Sequence, residues 1–183
     1  METLQLVPIY CGQPPAILER LTIRLEHAFG LRVERHNPTF DPEIAFDRTR
    51  SQYNSRLFLA QLLRDRPADA GRVLGLTGLD LFIPVLSYVF GEAQLNGRVA
   101  VVSTHRLDNQ LYGLSPAPDL LFDRMCKESI HELGHTYNLV HCHDGTCVMA
   151  SSTTVDAIDM KSEHFCDECR RLLESHELRR KNG

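Results

Sequence analysis

No stretch of this 183-residue sequence stays apolar long enough to span a bilayer, which takes about 20 residues; the nearest candidate, LFIPVL at 81–86, is broken by Pro84. Basic charge is not in excess either. Twenty Lys and Arg against 24 Asp and Glu leave a net charge of −4, so nothing electrostatic points to nucleic acid as a partner. The opening METLQLVPIYCGQPP lacks a basic segment followed by a long apolar one, so it reads as a first strand rather than an export signal, and a cytoplasmic protein is expected. Internal repeats and low-complexity linkers are missing, which argues for one domain over 1–183. What is present suits that reading: 43% hydrophobic and 24% charged residues are ordinary for a globular chain with a real core.

Six cysteines in a chain expected to stay in a reducing compartment argue for metal or free thiol before disulfide. Cys11 and Cys126 stand alone, whereas Cys142, Cys147, Cys166 and Cys169 crowd together near the end. Cys126 reads as a small buried hydrophobe, and Gly12 with Pro14 and Pro15 in YCGQPP reads as turn chemistry.

The pattern of elements predicts an α/β (α+β) fold: a mixed twisted sheet of about five strands backed by helices. Strands are expected at 4–10, 31–36 and 72–77. Two more, within 86–95 and 98–107, flank Asn96-Gly97, a strong hairpin signal. Helices are expected at 14–29, closed by Gly30, at about 52–66 with Tyr53, Leu57, Ala60 and Leu63 on one face, from Asp119 to about Leu139, and from Cys166 to about Arg180. Residues 37–50, with Pro38 and Pro42, read as loop. The chain divides into an N-terminal subdomain, 1–140, and a small C-terminal one, 141–183.

The chemistry concentrates in SIHELGHTYNLVHCHDGTCVM, 129–149. His131 and His135 are one helical turn apart, so both imidazoles can reach one ion, and Glu132 sits beside the first ligand as a base for metal-bound water. His141 can join only if the helix ends sharply. Asn138 stands where a left-handed residue would turn the chain, and asparagine tolerates positive φ well. Three histidines and an open position have the stoichiometry of catalytic zinc. Cys142-x4-Cys147 with Cys166-x2-Cys169 makes a four-thiolate set suited to structural zinc; two disulfides are the competing reading. His143 competes with His141 as third ligand but fits the helix-end spacing less well. His105, His164 and His176 have no partners at ligand spacing and read as surface or capping residues.

HELGHTYNLVH resembles the metzincin signature H-E-x-x-H-x-x-G-x-x-H, with Asn138 in place of its glycine. Met149, eight residues past His141, matches the Met-turn position. HCHDGTCVM followed by CDEC resembles the archaemetzincin family, whose pattern continues as C-x4-C-x-M and ends in C-x-x-C. RSQYNSRLFL, YVFGEAQLNGRVAVVSTHRL and DAIDMKSEHFC are also similar to that family, so the likeness covers most of the chain. It implies a zinc metallopeptidase acting on peptides or proteins, with two zinc ions per chain and a zinc-bound water activated by Glu132; the sequence leaves the oligomeric state open, with a monomer expected. It also implies that the edge strand at 87–95, with Tyr88, Phe90 and Gly91, receives the substrate as an added strand. No tyrosine follows Tyr137, so the late tyrosine of some metzincins is missing. Two other readings are a two-zinc regulatory module without proteolysis and an adaptor in which only the four cysteines bind metal.

Overall fold

The computed structural model describes residues 3–66 and 71–181. The first strand, β1 (Thr3–Ile9), leads into helix α1 (Pro15–Phe29) and returns as β2 (Arg32–Arg35). Pro15 occupies the first turn of α1, and Gly30 ends it at φ 65°, its N–H bonded to the Glu26 carbonyl. Two short strands follow, β3 (Phe46–Asp47) and β4 (Gln52–Asn54), then α2 (Ser55–Arg64), β5 (Arg72–Thr77) and β6 (Leu81–Phe82). A hairpin of β7 (Gly91–Ala93) and β8 (Val99–Ser103) precedes the long α3 (Pro118–Thr136); α4 (Val155–Met160) and α5 (Asp167–Lys181) complete the chain.

The main sheet has five strands in the order β2-β1-β5-β8-β7. The first four run parallel, and β7 is antiparallel to β8 at the edge. Alternation along the strands builds two cores. Leu4, Leu6, Leu74, Leu76, Ala100 and Val102 face α1 and α3, while Val7, Ile9, Val73, Val99 and Val101 face α2. The expected mixed sheet backed by helices is therefore what the chain forms.

Three local readings need correction. Gln52–Asn54 is a strand, and α2 starts at Ser55, where the Asn54 side chain accepts a bond from the Arg56 N–H. The buried face of α2 is Ser55, Phe58, Leu59 and Leu62, whereas Leu57 and Leu63 are exposed; the period was right and the phase wrong, because the larger Phe58 takes the core. The supposed loop at 37–50 holds a 3₁₀ turn, Pro42–Ala45, and β3, which pairs with β4, itself paired with β6, in a second, three-stranded sheet.

Candidate active site

Helix α3 is buried from Arg124 through Gly134, wedged between the sheet and the C-terminal segment. Its end is set by three backbone bonds: Tyr137 N–H and Leu139 N–H to the Gly134 carbonyl, and Asn138 N–H to that of His135. Asn138 has φ of 66°, so an asparagine holds the left-handed position that glycine usually takes in this kind of helix ending. The hairpin turn adds a further bond, from Asn96 N–H to the His135 carbonyl at 2.9 Å. Beneath, the fully buried Arg72 donates from Nε to Thr136 Oγ1 at 2.8 Å and lies 3.3 Å over the Tyr137 ring.

After this reversal the chain carries His141 back toward the helix. One ring nitrogen from each of His131, His135 and His141 lies within 4.8 Å of the others. Nδ1 of His131 is 2.8 Å from the Val148 carbonyl, and Nδ1 of His135 is 2.7 Å from that of Leu139. A carbonyl only accepts, so each Nδ1 carries the proton and each Nε2 presents a lone pair. Those two Nε2 atoms face each other at 3.2 Å. Two neutral lone pairs converging at that distance repel unless a cation lies between them. Burial pushes all three imidazoles below their usual pKa, most strongly His131, which keeps them neutral. The donor set fits zinc.

Glu132 is buried under β7. A methyl group on Gly91 would stand 2.6 Å from Glu132 Cγ, so the missing side chain makes room for this carboxylate on the helix side of the strand. Burial, with the charges of Glu128 and Glu92, pushes the Glu132 carboxyl well above the usual range against an opposing pull from Lys161. Glu132 and the three histidines line a cleft of about 450 Å³ whose other walls include Tyr88–Ala93 and Ser151–Thr153. Tyr88 Oη donates to the Thr153 carbonyl at 2.8 Å across it. Phe90, at 5% exposed, belongs to the core and closes the cleft from that side. His143 is exposed, and the described metal-competent histidine group does not include it.

Met149 is fully buried against α3. Its Sδ and Cε occupy the space that a side chain at Gly134 would fill, with Phe165 on the flank. A glycine inside a helix signals such a close approach in principle, but the partner cannot be read locally.

The sulfurs of Cys142, Cys147, Cys166 and Cys169 also lie within 4.8 Å of one another, and all are free. Cys142 and Cys166 Sγ are 3.8 Å apart; four sulfurs held about 2.3 Å from one zinc in a tetrahedron stand about 3.8 Å apart. Met149 N–H and Cys166 N–H approach Cys147 Sγ at 3.4 and 3.3 Å, the donors a thiolate calls for. Cys126, away from both groups, is buried, and burial pushes its thiol up to about 12.

Among residues the sequence did not single out, Lys161 and Glu128 form a buried ion pair beside the cleft. Among the described residues no helix is long and apolar enough to cross a membrane.

Residues 21–175 match the model for Peptidase family M54. The archaemetzincin of Haloquadratum walsbyi is 40% identical over 93% of this chain and 98% of its own. That of Methanopyrus kandleri is 46% identical over 73% and 72%. The crystal structure of the Methanopyrus kandleri archaemetzincin superposes with a TM-score of 0.84 at 39% identity, covering 96% of this chain and 95% of that one. A zinc-dependent peptidase from Methanocorpusculum labreanum gives 0.80 at 29% identity, covering 93% and 99%. With this sheet, this helix end and these two donor sets in place, the chain belongs to peptidase family M54, the archaemetzincins, and is a zinc metallopeptidase.

Proposed function

We propose that the chain hydrolyses peptide bonds in the cleft beside β7, with a catalytic zinc on His131, His135 and His141 and a structural zinc on Cys142, Cys147, Cys166 and Cys169, two ions per chain. The observation that carries this reading is the pair of Nε2 lone pairs facing each other at 3.2 Å, each ring locked through Nδ1 to a backbone carbonyl, with Glu132 in the same cleft. When bound, the catalytic zinc supplies Lewis acidity, polarising the scissile carbonyl and bringing the pKa of a ligated water to about 7.

The chain's own groups do the rest. Glu132 takes the proton of the attacking water and returns it to the leaving amine. Burial raises its affinity for a proton, which suits a group that must take one from water. The free edge of β7, paired only with β8 among the described strands, offers backbone donors and acceptors to an extended peptide. Met149, packed against Gly134 of the histidine-bearing helix, would help fix where that helix and the turn meet.

Glu132→Ala tests the assignment. Zinc content stays at two per chain and hydrolysis falls by about 10²–10⁴-fold, the span typical of a lost general base. Undiminished turnover would show that Glu132 is not the base, and one zinc per chain in the parent protein would undo the two-site reading.

A further inference from the structure

Lys161 lies at the end of α4, and its side chain is 1% exposed. Its ammonium has three oxygens around it: Glu128 Oε1 at 3.0 Å, the Ala150 carbonyl at 3.1 Å and the Val148 carbonyl at 3.3 Å. The approach to Glu128 is ionic rather than a well-directed hydrogen bond. Each partner leads to the site. Val148 and Ala150 flank Met149, and the Val148 carbonyl is the same oxygen that accepts from His131 Nδ1. Glu128 is one helical turn before Glu132 and lines the same cleft.

A buried ion pair gives a fold little net stability, because the desolvation of two charges offsets most of their attraction. The value of this one lies in where it holds things. The lysine pins both carbonyls of the Met149 turn, and through Val148 it fixes the orientation of the His131 ring. It is also the nearest positive charge to a carboxylate four residues from Glu132 on the same helix face.

We propose that Lys161 is a positioning residue of the peptidase site, acting on His131 through the Val148 carbonyl and on Glu132 through Glu128. This inference rests on the assignment of the three histidines as metal ligands. It predicts a loss confined to that site, with the four-cysteine site as an internal control. Removing groups that orient a ligating histidine typically weakens metal binding or activity about 10–100-fold.

The experiment is a cobalt(II) titration of the metal-stripped full chain, followed by the thiolate charge-transfer band for the cysteines and the ligand-field bands for the histidines. For Lys161→Met, the cysteine site fills as in the parent while cobalt affinity at the histidines drops about 10–100-fold. Lys161→Arg, which keeps a cation and donors, recovers most of that loss. Should Lys161→Met fail to fold, Glu128→Gln with Lys161→Met removes both buried charges and still lacks the carbonyl donors, so the same selective loss is expected. Parent-like binding at both sites in the folded variant overturns the inference, and so does an equal loss at both. A parent protein that binds cobalt only through cysteines would instead sink the histidine assignment, a different result in a different sample.

Discussion

A methyl group at Gly91 would meet Glu132 Cγ at 2.6 Å and the Val101 carbonyl oxygen at 2.8 Å, contacts that force something to move. The Val101 contact is to the backbone of an interior strand, so the added methyl is accommodated only by a shift of β7 together with the Glu132 side chain. Gly91→Ala therefore displaces the base while leaving the histidines alone. We expect zinc content to be unchanged and kcat to fall about 100-fold, as a misplacement near 1 Å costs in a positioned site. Metal analysis beside steady-state kinetics checks this; a fully active Gly91→Ala would mean that Glu132 has slack the packing does not show. The sequence suggested that Gly91 serves a close backbone approach from substrate. The structure gives the glycine a use on the opposite side of the strand.

At the scale of elements, α3 and the Met149 turn are fitted to each other through Gly134. In an exposed helix, Gly→Ala stabilises by about 1 kcal/mol. Here the added methyl would collide with Met149 Sδ, and forcing extra volume into a packed core costs about 1–3 kcal/mol. Gly134→Ala is thus expected to lower the melting temperature, against its propensity. Gly134→Ala with Met149→Ala should be less destabilised than the sum of the two single changes, because each relieves the other. Additivity in thermal melts would contradict the contact. The end of α3 is set just as firmly: Asn138 at φ 66°, the Asn96 N–H on the His135 carbonyl and Arg72 against Thr136 and Tyr137 together dictate where His141 returns.

Over the whole molecule, the C-terminal segment shares a core with the helices it follows. Val148, Met149, Ile158, Phe165 and Leu173 join the same buried cluster as α1 and α3. Arg24 pairs with Glu163 at 2.5 Å, and Arg170 donates to the Ala28 carbonyl. We propose that 141–183 is nonetheless a separable subdomain stapled by its four cysteines, since large apolar residues are sparse between Ala150 and His164. Cys169→Ser should then leave one zinc per chain and raise amide hydrogen exchange across 141–173, while β1, β5 and β8 keep their protection. An even rise throughout the sheet would show a single cooperative unit.

The sequence by itself determined what depends on near neighbours. Spacing of four within a helix put His131 and His135 on one face, and asparagine's tolerance of positive φ marked the turn at Asn138. The donor types and their spacing pointed to zinc. What depends on contacts between distant segments was not legible. The phase of α2 was set by which side chain, Phe58 or Leu57, met the sheet, and β3, β4 and β6 are strands only because they pair with one another. The tertiary structure alone brought Lys161 to Glu128, Met149 to Gly134 and Gly91 to Glu132. Residue order encodes local geometry through short-range sterics and hydrogen bonding, whereas the companions of a buried group are chosen by how the whole chain closes around it.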